Sequence, residues 1–186
     1  MRQNPGLNIT VSESGSGNGA KSLVNGTCDV ATLSRGMKDA EFAAAAQKGI
    51  QPVPHVIAYD GIAVVTHPSN PVKALSLEQV RGIYTGKIAN WKDVGGADQP
   101  IVVVTRDTNS GTYECFESLA MNKERIAAGA ETVGSNGAAR TRVATTPAAI
   151  AYIGIGFIDS TVKALDINSV YPDRDTVASG KYPIAR

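Results

Sequence analysis

The most constraining feature of the sequence is an apolar run that leads, through a short polar turn, into an amphipathic segment. Residues 101–104 are Ile-Val-Val-Val, a β-branched run that predicts a buried strand. Residues 113–126 space their apolar side chains at helical intervals, which predicts a helix with one buried face. The turn between them, residues 106–112, therefore lies where a strand ends and a helix begins.

This turn carries the residue types expected of an anion site, in the order Arg-Asp-Thr-Asn-Ser-Gly-Thr. The first N–H groups of a helix have no partner inside it and carry partial positive charge. A small anion can be held there by those groups, by the hydroxyls of Ser110 and Thr112 and by the guanidinium of Arg106. Gly111 lets the backbone approach the ligand closely. The alternative is an ordinary capped helix with Arg106 on the surface.

An earlier strand–loop–helix unit repeats this arrangement. Residues 7–11 alternate between apolar and polar and predict a strand, which is followed by the small-residue loop 12–19 and a helix from Ala20 to Val24. The loop matches neither the P-loop, because Ala20 precedes Lys21, nor the dinucleotide fingerprint, because its glycines are differently spaced. It is either an anion-binding nest or a flexible turn.

A second unit follows it directly. Residues 29–33 predict a strand that ends at Ser34 and Arg35, before an Ala-rich helix over residues 39–48. Ligands gather at strand ends in open α/β sheets, so this hydroxyl and guanidinium are candidate ligand groups. A solvated Arg35 is the alternative.

Two other segments offer polar groups. Residues 134–137, Gly-Ser-Asn-Gly, stand at the start of a helix that is predicted to run through Val143. Asp60 precedes the apolar run 61–65, which predicts a buried strand. Asp60 is either a turn residue or the acceptor of a proton from a bound ligand.

Composition argues against several function classes. A net charge of +1 with scattered basic residues argues against a general nucleic-acid or membrane-surface binder, and 5% aromatic residues offer no platform for stacking bases. Cys28 and Cys115 match no zinc or redox spacing, and His55 and His67 lie in no metal or nucleophile motif. No nucleophile paired with a base is evident, so neither an enzyme such as a phosphatase nor a cofactor or metal is predicted.

The order and the sequences of these motifs resemble those of the phosphate-binding proteins of ABC transporters over nearly the whole chain. The strongest match is the phrase at residues 84–91, Tyr-Thr-Gly-Lys-Ile-Ala-Asn-Trp, followed by the phrase at residues 106–112. The weaker matches, in chain order, are residues 15–19, 34–35, 58–65, 70–71, 75–79, 135–137, 149–152 and 181–183.

The resemblance implies an α/β, two-lobed periplasmic-binding-protein fold of type II, in which each lobe is a mixed sheet flanked by helices. Lobe I is expected to comprise residues 1–57 and 153–186, and lobe II residues 58–152, with two crossovers. The implied function is capture of inorganic phosphate between the lobes and its delivery to a membrane permease, in the periplasm or at the outer cell surface. Another tetrahedral oxyanion, such as sulfate, molybdate or tungstate, and a phosphate-sensing or adhesive module are the alternatives.

The resemblance also implies site residues. Those carried over are Arg106, Ser110, Gly111 and Thr112 from one lobe, Ser16, Gly17, Ser34 and Arg35 from the other, and Ser135 and Asn136 as residues that line the cleft. Some members of the family have an aspartate where this chain has Arg35, and that aspartate accepts a phosphate proton. Asp60 is the predicted substitute, since a carboxylate favours the P–OH of hydrogen phosphate and repels fully ionised sulfate.

The chain also departs from the family pattern. Ala148 and Ala151 stand where the family usually has glycine. The family begins with a strand, a ligand loop and a helix before the segment that matches residues 4–6, and it continues past the segment that matches residues 182–183. Without that strand, its neighbours in lobe I would have unpaired backbone edges. We therefore expect this chain to be a fragment, or to rely on a second chain that completes lobe I.

Overall fold

The computed structural model describes residue 4 and residues 6–12 and 15–186; Pro5, and Glu13 and Ser14 of the predicted small-residue loop, lie outside the described residues. The helices are α1 (Ser16–Val24), α2 (Asp39–Gln47), α3 (Leu77–Tyr84), α4 (Gly111–Leu119), α5 (Asn136–Ala144) and α6 (Arg174–Ala178). The strands are β1 (Ile62–Thr66), β2 (Ala74–Leu75), β3 (Val102–Arg106), β4 (Glu131–Val133), β5 (Ala149–Gly154), β6 (Lys163–Ala164) and β7 (Asp166–Ile167). Short 3₁₀ turns cover Trp91–Val94 and Ile155–Phe157.

A five-stranded mixed sheet organises the chain, with the strand order β4-β3-β5-β1-β6. Strand β3 runs parallel to β4 and β5, whereas β1 runs antiparallel to β5 and β6. Strands β2 and β7 form a separate parallel pair. The α/β class is therefore confirmed, as a mixed sheet flanked by helices.

Both faces of the adjacent strands β1 and β5 are covered. Every residue of β1 and β5 is buried, which explains why their sequences are apolar without alternation. One face packs against a cluster that contains Trp91 and Tyr152, and the other against a cluster that contains Val143 of α5 and Ala151. This two-sided core fixes β3, whose last residue is Arg106.

Several predicted elements are confirmed with shifted ends. The helix predicted over residues 113–126 runs from Gly111 only to Leu119, because Asn122 and Lys123 adopt positive φ angles of 48° and 63°, which a helix cannot continue through. Helix α1 begins at Ser16, four residues before the predicted Ala20.

Two predicted strands are wrong. The segments 7–11 and 29–33 belong to no strand or sheet within the described part of the chain. Several of their apolar side chains are exposed to solvent, with Ile9 58% exposed and both Val11 and Val30 80% exposed. Alternation predicts a strand only where a neighbouring strand accepts its backbone hydrogen bonds, and the described residues supply none.

The predicted lobe boundaries, 1–57 with 153–186 and 58–152, stay a prediction. The segment after Ile153 packs on the sheet of residues 58–152, since β6 pairs with β1 and Tyr182 Oη donates to the Ile62 carbonyl at 2.9 Å. Cys28 and Cys115 are both free. Among the described residues, no helix combines the length and the apolar character that crossing a bilayer requires.

Candidate functional site

A polar cavity of about 240 Å³ lies where the N-terminal segment, residues 15–60, meets the end of β3. It is lined by Gly15, Ser16, Thr32, Leu33, Ser34, Arg106, Ser110, Gly111, Thr112 and Asn136. A larger cavity, of about 320 Å³, is lined mostly by apolar residues between α3 and β3. The smaller cavity is the candidate site because its walls hold the polar groups that a charged ligand requires.

Three helices begin at this cavity. Ser16, Gly111 and Asn136 are the first residues of α1, α4 and α5, and all three line its wall. Each helix start leaves backbone N–H groups without a partner inside the helix and contributes partial positive charge. Their convergence makes the cavity attractive to an anion from three directions.

Among the described residues of the wall, Arg106 is the one that carries a full charge. It is only 8% exposed, and its Nη2 donates to the Gly134 carbonyl at 3.0 Å. Its backbone N–H donates to Tyr152 Oη at 3.1 Å, and that tyrosine stacks on Phe116 with ring centroids 4.0 Å apart. Burial lowers the pKa of Arg106, and the nearby charge of Arg186 acts in the same direction. A bound anion would compensate this buried charge.

Two glycines let the N-terminal segment approach the turn after β3. A Cβ on Gly111 would overlap the hydroxyl of Ser16, and a Cβ on Gly15 would overlap the carbonyl oxygen of Asn109. The predicted site residue Gly17 does not line the cavity, but its N–H donates to that same carbonyl at 3.2 Å. Glycine is therefore required on both sides of the contact.

The hydroxyls in the wall are oriented by their partners. Ser16 Oγ accepts from Ser34 N–H at 3.0 Å, and Ser110 Oγ caps α4 by accepting from Tyr113 N–H at 3.3 Å. Thr112 Oγ1 accepts from Arg186 Nη1 at 3.3 Å. Because each oxygen already accepts a hydrogen bond, each hydroxyl proton is free to donate to a ligand.

The structure places Arg35 away from the cavity wall. Its guanidinium bonds Glu41 of α2 at 2.9 Å and also Glu114 of α4, which in turn accepts from Lys38 Nζ at 2.7 Å. Hydrogen bonding to Glu41 raises the pKa of Arg35. Arg35 thus forms an ion cluster that joins the N-terminal segment to α4, beside the cavity.

Asp60 is not brought to the cavity either. Its carboxylate accepts from Arg186 Nη2 at 2.6 Å and from Arg186 Nε at 3.2 Å, and the two residues also exchange backbone hydrogen bonds. The side chain of Ser135 likewise bonds the protein itself, since its Oγ caps α5 by accepting from Ala138 N–H at 3.0 Å.

Gly15, Thr32 and Leu33 line the cavity and were not predicted as site residues. Thr32 and Leu33 directly precede the predicted site residue Ser34, and this position was the available signal in the sequence. The prediction of a strand over residues 29–33 obscured that signal, because alternate side chains of a strand point to opposite faces of a sheet.

Comparison with known proteins places these features in context. The model of the PBP superfamily domain matches residues 1–186. The phosphate-binding protein PstS of Bacillus subtilis (strain 168) is 35% identical over 188 residues, which cover 99% of this chain and 60% of that protein. PstS of Borreliella burgdorferi is 31% identical and is covered over 67% of its length. The chain thus spans roughly three fifths to two thirds of the length of these curated relatives.

Among solved structures, a phosphate ABC transporter substrate-binding protein from Clostridium perfringens, determined with bound phosphate, superposes with a TM-score of 0.90 at 35% identity. The match covers 100% of this chain and 74% of that one. An ABC-type phosphate transport receptor from Vibrio cholerae superposes with a TM-score of 0.77 at 38% identity and is covered over 75% of its chain.

Proposed function

This chain belongs to the PBP superfamily and, within it, to the family of phosphate-binding proteins, and we propose that its polar cavity captures inorganic phosphate for delivery to an ABC transporter. The observation that carries the proposal is the convergence of three helix starts and the buried guanidinium of Arg106 on one small cavity. The phosphate in the Clostridium perfringens structure supports phosphate over sulfate, molybdate or tungstate.

The wall can hold a tetrahedral anion without a metal or cofactor. Arg106 supplies charge, while the hydroxyls of Ser16, Ser110 and Thr112, whose oxygens accept hydrogen bonds within the protein, can donate their protons to the oxygens of an anion. Charge-assisted hydrogen bonds are worth about 1.5–3 kcal/mol each, so a few of them suffice for micromolar or tighter binding.

Release to a transporter requires that the cavity open. Its wall combines Ser16 and Ser34 of the N-terminal segment with Arg106 at the end of β3, so a bound anion would join the two regions. We propose that residues 1–57 of the predicted lobe I close on phosphate against predicted lobe II, residues 58–152, and open at a membrane permease. Residues 153–186, which were also predicted for lobe I, would stay with the sheet on which they pack. In this role the protein works outside the cytoplasm, in the periplasm or at the cell surface.

We further propose that a second chain completes lobe I. The segments 7–11 and 29–33 expose Ile9, Val11 and Val30 and have no strand partner among the described residues. An added strand with alternating apolar side chains would pair their backbone groups and cover these side chains.

Isothermal titration of the anion-stripped protein with phosphate and with sulfate, at neutral and mildly alkaline pH, tests the proposal. We expect saturable phosphate binding and no response to sulfate. Failure of the folded protein to bind phosphate would refute capture by this chain, and equal binding of both anions would favour a general oxyanion site.

A further inference from the structure

Two residues of the cavity wall each have a buried side-chain atom without a hydrogen-bond partner. Among the described residues, the buried side-chain atoms without a hydrogen-bond partner are Thr66 Oγ1, Arg106 Nε and Asn136 Oδ1. Thr66 lies in the sheet, whereas Arg106 and Asn136 both line the cavity. A buried polar group without a partner is costly, so a ligand that satisfies both atoms gains from each.

The two atoms make opposite demands. Arg106 Nε can only donate a hydrogen bond, and Asn136 Oδ1 can only accept one. The other side-chain oxygens in the wall are hydroxyls, which donate or accept as required. Asn136 Oδ1 is therefore the described atom of the wall side chains that strictly requires a donor from the ligand.

One turn holds both atoms in place. The Gly134 carbonyl accepts from Arg106 Nη2 at 3.0 Å, and two residues later Asn136 begins α5. Ser135 fixes that helix start through its cap to Ala138 N–H at 3.0 Å. The donor and the acceptor thus keep a fixed relation to one another.

Two described carboxylates near the cavity already bond groups of the protein. Asp60 is held by Arg186 at 2.6 Å, and Asp107 Oδ1 accepts from Asn109 N–H at 3.0 Å. A carboxylate acceptor for a ligand proton is thus absent from the described wall.

We propose that Asn136 is the specificity-determining residue, and that its Oδ1 accepts the P–OH proton of hydrogen phosphate while Arg106 Nε donates to an ionised oxygen. Sulfate at neutral pH offers only acceptors, so it satisfies Arg106 Nε and leaves Asn136 Oδ1 buried and unpaired. A site that hydrogen-bonds a ligand hydroxyl rejects an analogue without it, because the buried acceptor is then left unsatisfied. This inference rests on the proposed phosphate site and replaces Asp60 as the discriminating group.

The test compares phosphate, sulfate and monofluorophosphate by calorimetry on the wild type, Asn136→Ala and Asn136→Asp. Monofluorophosphate is a dianion of nearly the same shape in which fluorine replaces the hydroxyl. Asn18→Ala is the matched control, since Asn18 lies in the first turn of α1, is exposed and does not line the cavity.

We expect the wild type to prefer phosphate over both other anions. Asn136→Ala should weaken phosphate about tenfold and leave sulfate and monofluorophosphate nearly unchanged, so that discrimination shrinks by the same factor. Asn136→Asp should keep the preference for phosphate, because a carboxylate also accepts the proton, and Asn18→Ala should match the wild type.

Other outcomes overturn the inference in distinguishable ways. Equal weakening of all three anions in Asn136→Ala would mean that Asn136 donates through Nδ2 or only packs. An unchanged phosphate-to-sulfate ratio in that variant would place discrimination elsewhere while leaving phosphate capture intact. A wild type that binds none of the three would overturn the proposed function, and this inference with it.

Discussion

The N-terminal segment, residues 15–60, and the sheet region, residues 61–186, build the same cavity but are held in different ways. All the strands of the described chain lie in the sheet region, where β1 and β5 are buried on both faces. The N-terminal segment consists of α1, α2 and chain without regular secondary structure. It exposes Val30 and Val56 at 80% each and Ile57 at 89%. Arg106 therefore stands on a packed scaffold, whereas Ser16 and Ser34 do not.

The difference teaches that assembly of the cavity depends on the contact between the regions. Ser16 and Ser34 gain their positions from packing against Gly111 and from the ion cluster around Glu114 rather than from a core of their own. Regions with few buried contacts open at low free-energy cost, which suits an element that must release a ligand.

We expect the largest difference between the two regions in the rates of amide hydrogen exchange. Amides of β1 and β5 should exchange at rates set by global unfolding, of the order of 5–15 kcal/mol, while those of residues 7–12 and 28–33 should exchange with little protection. Mass spectrometry of the exchanging protein checks this. Comparable protection in both regions would show that the exposed segments are paired, as a second chain would pair them.

Gly111→Ala should give the next largest effect, because it breaks the contact itself. The added methyl group would overlap Ser16 Oγ and press on the Cβ of Ser34, so the N-terminal segment must move away from the cavity. Loss of two charge-assisted hydrogen bonds corresponds to a phosphate affinity lower by roughly a hundredfold or more.

Gly137→Ala is the control for this variant. Gly137 is the second residue of α5, and a Cβ there would meet nothing closer than Ser135 Oγ at 3.8 Å. We expect near wild-type phosphate titration for it. Unchanged affinity in Gly111→Ala would mean that the N-terminal segment contributes nothing to binding.

Arg106→Lys should have a smaller effect that lies entirely within the sheet region. Lysine keeps the charge but loses the fork whose Nη2 donates to the Gly134 carbonyl and whose buried Nε has no partner among the described residues. We expect phosphate affinity to fall about tenfold, with the midpoint of thermal unfolding nearly unchanged. A fall in that midpoint without a change in affinity would assign Arg106 a structural role only.

The sequence predicted best what is local. The strand ending at Arg106, the cap at Ser110 and the helix starting near Asn136 all follow from neighbouring residues, and the structure has them. The start of α1 was placed four residues late because glycines at positions 17 and 19 disguise a helix.

What the sequence could not predict depends on distant partners. The strands expected over 7–11 and 29–33 fail because strand formation requires a neighbour, and alternation does not reveal whether one exists. Arg35 pairs with Glu114, 79 residues away, and Asp60 pairs with Arg186, 126 residues away. These pairings turn two predicted ligand groups into parts of the scaffold.

The smallest expected effect concerns the ion cluster that joins the two regions. Glu114→Gln removes the charge that bonds Arg35 and Lys38, and a partly exposed pair contributes about 0.2–1 kcal/mol, so phosphate affinity should fall up to about fivefold. Glu117→Gln is the control, since Glu117 lies on the same helix and bonds only Tyr113 Oη, at 3.4 Å, among the described residues.

The same cluster predicts the direction of the acid response. Hydrogen bonding to Arg35 lowers the pKa of Glu41 below its ordinary value of 4.5, so its contribution to stability is complete above that pH and is lost as the pH falls through the lower folded value. Thermal unfolding followed from neutral to acidic pH should therefore show a decline that Glu41→Gln makes shallower. Because Glu41 and its partner Arg35 both lie in the loosely held segment, the decline should appear first in the exchange of residues 15–60. An acid response that is uniform across both regions would contradict the view that this pair stabilises the N-terminal segment locally.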